Sequence, residues 1–211
     1  MRIIKRVAES IGCLFAKLHL DKLIQITRSF ITYTYTGFMK TKFKYLGQGA
    51  VVTPYMFNFK GGKYISIGEN TVLGASMQLT AWDKYEGETF SPSITIGRNC
   101  NIRAFAHITA IDCIEIGDNL LTGTNVLITD NSHGVLNREN INTPPSKRQL
   151  SSKGAVKIGD NVWLGNNVII LPGVTIGSNV IIGANSVVST DIPNNSVAVG
   201  MPAKVIKTIV V

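Results

Sequence analysis

The 211-residue sequence predicts an all-β protein, a triangular solenoid of six-residue repeats with a short N-terminal helical arm. Apolar residues recur at every sixth position over long stretches, a glycine follows many of them, and asparagines stand close to these glycines. A helix has a period of about 3.6 residues and a simple strand a period of about 2, so neither fits this pattern. A short strand followed by a tight turn, repeated along the chain, does fit it.

Residues 1–44 are expected to form the arm, with one amphipathic helix over residues 1–30. Its apolar side chains recur at spacings of three and four, at Ile4, Val7, Ile11, Leu14 and Leu18. Residues 1–50 hold nine basic and two acidic residues, a net charge of +7 (9 − 2), which leaves +1 for the rest. A nucleic-acid-binding body is therefore not expected. Two alternatives stay open: the arm lies on an anionic membrane surface, or it caps the solenoid.

Residues 45–192 are expected to form the solenoid, in which three six-residue units close one triangular coil. Five such groups follow a degenerate first coil over residues 45–62. Their inward positions are Ile67, Leu73 and Leu79; Ile96, Ile102 and Ile108; Ile116, Thr122 and Ile128; Ile158, Leu164 and Ile170; and Ile176, Ile182 and Val188. The nearby asparagines are expected in the left-handed backbone conformation that tight corners require. They are Asn70, Asn99, Asn119, Asn161 and Asn179.

Two long insertions interrupt the repeat, at about residues 81–93 and 131–157, and residues 193–211 form a C-terminal tail. Since the perimeter of a coil is fixed, both insertions are expected to be extruded as loops. The 131–157 loop is polar and contains Pro144 and Pro145. The 81–93 loop mixes aromatic and acidic residues, which suits contact with a sugar or a partner, or a loop that folds onto its own scaffold.

His133 is the candidate for chemistry, because it stands alone at the mouth of the larger loop. A neutral imidazole at the edge of a rigid coil can take a proton from a hydroxyl or an amine, although a lone loop histidine can also be merely solvated. His107 is expected to point outward from a coil, and His19 to be structural or solvated in the arm. No paired motif predicts a metal site. The three cysteines lack paired spacing, so a reducing, cytoplasmic location is expected.

Four segments carry a resemblance to a known family: residues 158–165, 171–177, 182–187 and 199–204. The chain resembles the hexapeptide-repeat acyltransferases, which are left-handed parallel β-helix enzymes that use acetyl-CoA. The resemblance covers residues 60–207 and is nearest to the galactoside- and maltose-type and the surface-polysaccharide O-acetyltransferases. It implies acetyl-CoA as co-substrate, a saccharide acceptor, and a homotrimer with active sites between subunits. No metal is expected to be required, and the charge distribution predicts no nucleic-acid partner.

The resemblance also assigns roles to individual residues. His133 matches the catalytic base, while Asp130 and Asp112 match positions for contacts to the acceptor hydroxyl. The positions matched to acetyl-CoA binding are Trp163, Gly165, Asn166, Ala184, Ser189, Lys204 and Lys207. Two departures are visible: the arm is longer and more basic than the usual cap, and Ala104 replaces an expected asparagine. Simple galactoside or maltose specificity is therefore not expected.

The function expected is O-acetylation of a saccharide hydroxyl, in which the acceptor attacks the thioester directly with His133 as general base. Three alternatives stay open: N-acetylation of an amino sugar, acetylation of an antibiotic, and a non-catalytic β-helix scaffold that assembles partners. Location is expected to be cytoplasmic, with the arm either peripheral to the inner membrane face or packed on the first coil.

Overall fold

The computed structural model describes residues 1–18, 20–135, 137–138 and 140–210, so the expectation for His19 lies outside the described residues. Two helices come first, α1 Arg2–Lys17 and α2 Asp21–Lys40, and short 3₁₀ turns occur at Gly62–Tyr64 and Pro145–Lys147. The strands are β1 Tyr45–Leu46, β2 Val51–Val52, β3 Asn58–Lys60, β4 Ile65–Ile67, β5 Val72–Leu73, β6 Gln78–Ala81, β7 Lys84–Tyr85, β8 Glu88–Thr89, β9 Ser93–Ile96, β10 Asn101–Ile102, β11 His107–Ala110, β12 Cys113–Ile116, β13 Leu121–Thr122, β14 Leu127–Thr129, β15 Asn131–Ser132, β16 Ser151–Ser152, β17 Val156–Ile158, β18 Trp163–Leu164, β19 Ile169–Ile170, β20 Thr175–Ile176, β21 Ile181–Ile182, β22 Val187–Val188, β23 Ser196–Gly200 and β24 Ala203–Thr208.

The chain coils through three sheets that form the faces of a prism, and their strands run parallel except for the antiparallel β24. The first sheet has the order β1-β4-β9-β12-β17-β20, the second β2-β5-β10-β13-β18-β21-β23-β24, and the third β3-β6-β11-β14-β19-β22. Each turn of the chain adds one strand to each sheet, which confirms the predicted solenoid. Residues 45–60 pair in register with the next coil, so the degenerate first coil is also confirmed.

The predicted inward positions form the core of the prism. All fifteen are at most 4% exposed, including Thr122 at 2%. Burial of each Ile, Leu or Val contributes roughly 1.5–3 kcal/mol. Thr122 fits among them because its Oγ1 accepts a hydrogen bond of 2.9 Å from the backbone N–H of Arg103. The six-residue spacing therefore identified the interior, and the polar exception has a partner.

Asparagine ladders run along two corners of the prism. The five predicted asparagines all have positive φ, from 55° at Asn70 to 61° at Asn119. Their amides bond from coil to coil: Asn119 Nδ2 donates to Asn161 Oδ1 at 2.9 Å, and Asn161 Nδ2 to Asn179 Oδ1 at 3.1 Å. A second ladder, which was not predicted from the sequence, joins Asn125, Asn167 and Asn185.

Both insertions leave the prism and carry short antiparallel pairs. In the 81–93 loop β7 pairs with β8, and in the 131–157 loop β15 pairs with β16. The base of the 81–93 loop is tied to the scaffold, because Asp83 accepts a hydrogen bond of 3.0 Å from Tyr64 Oη and lies 3.2 Å from Lys63 Nζ. Its tip turns toward His133 of the same chain, so this loop folds onto its own chain, and its contact with a sugar or a partner stays a prediction.

The prediction of a single helix over residues 1–30 is wrong, since α1 and α2 are separate helices. Lys17 in the last turn of α1 and Asp21 in the first turn of α2 each suit the helix dipole at the end where they lie. No residue of α1 is buried. The C-terminal part of α2 packs on the first coil, where Thr36 Oγ1 accepts a hydrogen bond of 3.0 Å from the N–H of Val52. Within the described residues no helix combines the length and apolarity needed to cross a bilayer.

Candidate active site

A cleft of about 350 Å³ lies at the outer surface of the third sheet, under the tips of the two extruded loops. Strands β3, β6, β11 and β14 form its floor, and the 81–93 and 131–157 loops supply its walls. Aromatic side chains, amides and hydroxyls line it together with two histidines. The lining includes Asn58, Gln78, Thr80, Trp82, Tyr85, His107, Thr109, Asn131, Ser132 and His133.

His133 projects from the chain directly after β15, at the start of the larger loop. Its Nδ1 lies 3.3 Å from the hydroxyl of Tyr85, and the two rings meet edge-on with centroids 5.5 Å apart. The imidazole is exposed rather than enclosed. A base on the wall of an open cleft can meet an acceptor hydroxyl without any rearrangement of the core.

Asp130 is fully buried, and its carboxylate turns toward the backbone of the preceding coil. It accepts hydrogen bonds from the N–H of Ile111 at 3.0 Å, the N–H of Asp112 at 2.9 Å and Asn131 Nδ2 at 2.9 Å. Burial raises the pKa of this carboxyl above its usual value. Asp112 is exposed, and neither aspartate lines the cleft. Asp130 thus anchors the segment that leads to His133 to the backbone of the preceding coil.

His107 lies on the floor of the cleft, in the outward row of the third sheet between Gln78 and Leu127. The prediction that it points outward is confirmed. Burial lowers the pKa of its imidazole, because desolvation disfavours the charged form. His107 therefore stays neutral at neutral pH and offers the cleft one donor and one acceptor. Within the part of the chain that the structure covers, no three His, Cys, Asp or Glu side chains are grouped to hold a metal.

The residues predicted to bind the donor lie elsewhere on the prism. Trp163 is 51% exposed on the outer face of the second sheet. Asn166 and Ala184 are exposed at the corner between the second and third sheets, and Lys204 and Lys207 are exposed on β24. Ser189 is exposed after β22. Gly165 packs so closely on the next coil that a Cβ there would lie 2.5 Å from the nitrogen of Ala184.

The chain therefore presents the predicted site in two parts. His133 stands at the end of the third sheet, whereas Trp163 faces outward from the second sheet, and the cleft around His133 includes none of the predicted donor-binding residues. Sequence reasoning also missed the contribution of Tyr85 to the site. The feature of the sequence that pointed to Tyr85 was the aromatic content of the 81–93 loop, but no residue spacing connected that loop with His133.

Comparison with known proteins gives the class of the chain. Residues 155–190 match the family model described as "Bacterial transferase hexapeptide (six repeats)". The chain is 41% identical over 147 residues to the putative lipopolysaccharide biosynthesis O-acetyl transferase WbbJ of Escherichia coli K12, covering 68% of this chain and 71% of that protein. It is 39% identical over 128 residues to the galactoside O-acetyltransferase of the same strain, covering 57% of each.

A solved structure agrees with these relatives. A hexapeptide-repeat acetyltransferase from Vibrio cholerae O1 biovar eltor, solved in complex with acetyl-CoA, is similar with a TM-score of 0.54 and 25% identity. The match covers 83% of this chain and 76% of that one. The chain belongs to the hexapeptide-repeat acetyltransferases, and its solenoid is the left-handed parallel β-helix of that family. It is an enzyme that transfers acetyl groups.

Proposed function

We propose that the chain is an acetyl-CoA-dependent O-acetyltransferase that modifies a hydroxyl of a saccharide, with His133 as general base. The cleft around His133 carries this proposal. Trp82 and Tyr85 offer flat apolar surfaces of the kind that sugar rings stack on, while Asn58 and Gln78 offer amides for sugar hydroxyls. The O-acetyltransferases of similar sequence support the same reaction.

The reaction needs one proton carrier and no covalent enzyme intermediate. His133 Nε2 accepts the proton of the saccharide hydroxyl as the hydroxyl oxygen attacks the thioester carbonyl carbon. The carbon–sulfur bond then breaks, and the imidazolium returns the proton to the departing thiolate. The products are an acetyl ester and free CoA. Asp130 holds the backbone next to His133 in place, and an acceptor contact by Asp130 or Asp112 stays a prediction.

The donor site is proposed along the second sheet and its corner. The exposed indole of Trp163 would pack on the thiol end of acetyl-CoA, and Gly165, Asn166, Ala184 and Ser189 would line the path of the pantetheine chain. Small residues keep that corner open to a long, narrow ligand. Lys204 and Lys207 are exposed cations on β24 that suit the nucleotide phosphates.

Completion of the site is proposed to require a homotrimer. Beyond Tyr45 of the first coil, the outward row of the first sheet is polar, namely Ser66, Thr95, Glu115, Lys157 and Thr175. The second sheet presents a continuous apolar row instead, Leu121, Trp163 and Ile181, which are 43%, 51% and 38% exposed. Apolar rows of this kind favour side-to-side packing of prisms. Such packing would set Trp163 of one subunit against His133 of another.

The arm is proposed to rest on an anionic membrane surface through α1, whose apolar stripe is uncovered. Ile4, Val7 and Leu14 are 74%, 53% and 54% exposed, and Arg2, Lys5, Arg6 and Lys17 give α1 a basic character against one acid, Glu9. An amphipathic basic helix of this kind lies in the interface of anionic bilayers. In this arrangement the first coil is capped by the part of α2 around Met39.

Vesicle sedimentation tests this placement. Full-length protein is expected to sediment with vesicles containing phosphatidylglycerol and not with phosphatidylcholine vesicles. Val7→Glu, which puts a charge on the exposed stripe, is expected to abolish the sedimentation, whereas Ser10→Glu supplies a control of equal charge on the same helix. Full-length protein that ignores anionic vesicles at physiological salt refutes the placement.

An acceptor screen with thiol release as the readout tests the proposed activity. Saccharides, nucleotide sugars, amino sugars and antibiotics are offered with acetyl-CoA, and the products are treated with mild base. O-Acetyl esters are cleaved by this treatment and N-acetyl amides survive it. We expect thiol release with a saccharide and a base-labile product. A base-stable product would indicate N-acetylation, and acetyl-CoA that neither binds nor reacts would indicate a scaffold.

A further inference from the structure

The side chain of Tyr85 contacts the imidazole ring of His133. The residue closes strand β7 at the tip of the 81–93 loop, far along the chain from the histidine. Its hydroxyl oxygen lies 3.3 Å from His133 Nδ1 and 3.0 Å from the carbonyl oxygen of Ser146. The hydroxyl thus bridges the histidine and the middle of the larger loop.

Counting hydrogens on these three atoms shows which neutral tautomer of the imidazole allows both contacts of the Tyr85 hydroxyl to be hydrogen bonds. A tyrosine hydroxyl carries one hydrogen, and a carbonyl oxygen can only accept. The hydrogen of Tyr85 is therefore donated to Ser146, and the contact to His133 is a hydrogen bond only when Nδ1 carries a proton. We propose that Tyr85 is a positioning residue that holds His133 in the Nδ1–H tautomer and leaves Nε2 free as the base. This inference rests on the proposed role of His133.

Neighbouring contacts hold Tyr85 in place. Its ring meets the edge of Trp82 at a centroid distance of 6.1 Å, and Lys60 Nζ lies 3.4 Å from the centroid of Trp82. Beside it, Lys147 Nζ pairs with Glu86 Oε2 at 3.2 Å. The two loops are therefore joined at adjacent positions, residues 85–86 on one side and 146–147 on the other. Because these contacts join the two loops, the hydroxyl of Tyr85 stays within reach of the imidazole of His133.

The arrangement suits a histidine that gains and loses a proton at Nε2. When Nε2 takes the acceptor proton, Nδ1–H already points at the tyrosine oxygen, so the hydrogen bond persists through the step. The ring does not need to turn, and Nε2 stays directed at the acceptor hydroxyl. Without the Tyr85 oxygen, both neutral tautomers become accessible, and only one of them leaves Nε2 unprotonated.

Nitrogen NMR on ¹⁵N-histidine-labelled protein tests the tautomer directly and independently of turnover. We expect a pyrrole-type Nδ1 and a pyridine-type Nε2 for His133 at neutral pH, and a mixture of both tautomers in Tyr85→Phe. Tyr64→Phe is the matched control, because it removes the hydroxyl that ties Asp83 of the same loop to the scaffold and does not touch His133. That variant is expected to keep the wild-type nitrogen shifts.

Kinetics supply the second readout. Tyr85→Phe is expected to lower kcat roughly tenfold, or ~1.4 kcal/mol, with the KM for acetyl-CoA unchanged, while Tyr64→Phe keeps the wild-type kcat. A pyridine-type Nδ1 in the wild type, or a Tyr85→Phe variant with wild-type tautomer and kcat, overturns the inference. Wild-type activity in His133→Ala would instead refute the proposed base, and the nitrogen shifts would still report on Tyr85.

Discussion

The carboxylate of Asp130 accepts a hydrogen bond from the backbone N–H of Asp112, with 2.9 Å between Oδ2 and the nitrogen. The other oxygen of Asp130 accepts from the N–H of Ile111 at 3.0 Å. One buried side chain thus ties two successive N–H groups of one coil to the segment that begins the larger loop on the next. His133 follows three residues later, so this contact connects the rigid prism to the proposed base.

Asp130→Asn is expected to destabilise the protein by about 1–3 kcal/mol. The amide keeps only one acceptor oxygen, so a buried N–H of Ile111 or Asp112 loses its partner. Urea unfolding measures the difference. Asp112→Asn, at the exposed end of the same contact, is the control and is expected to stay within ~0.5 kcal/mol of the wild type. Equal stability of the two variants would contradict the anchoring role of Asp130.

The asparagine corners make a prediction about backbone conformation. Asn161 has a φ of 56° and bonds to the asparagines above and below it. Asn161→Ala and Asn161→Gly both remove the amide, but only glycine adopts positive φ without strain. The alanine variant is expected to be less stable than the glycine variant by about 1 kcal/mol, measured by thermal and urea unfolding. An alanine variant as stable as the glycine variant would be inconsistent with a strained corner.

Assembly is predicted to depend on the apolar row of the second sheet. Ile181→Lys is expected to convert the trimer to a monomer in sedimentation velocity at micromolar concentration, with loss of acetyl transfer. Thr175→Lys introduces the same charge in the same coil on the polar first sheet, and should leave the trimer and its activity intact. An active monomeric wild type would refute both the trimer and the shared site.

Lys204 and Lys207 are predicted to act on the nucleotide end of the donor. Replacing both by glutamate is expected to raise the KM for acetyl-CoA at least tenfold, since two attractions to phosphate become repulsions. Acetyl-pantetheine lacks the nucleotide phosphates, so its KM should hardly change. Equal increases for the two donors would point to a disturbed β23–β24 hairpin instead.

The fold could be predicted from sequence because each coil repeats the same pattern of inward apolar residues and corner asparagines. Inward residues such as Ile158 and Leu164 mark the core by spacing alone, and Asn161 marks a corner by its tolerance of positive φ. The break between α1 and α2 was missed, because the apolar spacing runs on through residues near the break. Because exposed helices pack against little else, the sequence contains no pattern of buried residues from which the break between them can be predicted.

The candidate site was predictable only in part. His133 could be selected because an insertion begins beside it, and the resemblance supplied the residues on the coils that are predicted to bind the donor. The contact of Tyr85 with His133 joins two loops that have no period, so no spacing predicts it. The same holds for Asp130, whose partners are backbone N–H groups: the sequence suggested a substrate contact, and the structure adds an anchor.

His133 is proposed to act as the base in acetyl transfer. Thiol release from acetyl-CoA by the wild type and by His133→Ala with a saccharide acceptor, measured alongside calorimetric binding of CoA, tests this role directly. We expect kcat to fall roughly 10²–10⁴-fold in the variant while the affinity for CoA is unchanged. A variant that binds CoA normally and turns over at a rate close to the wild type would contradict it.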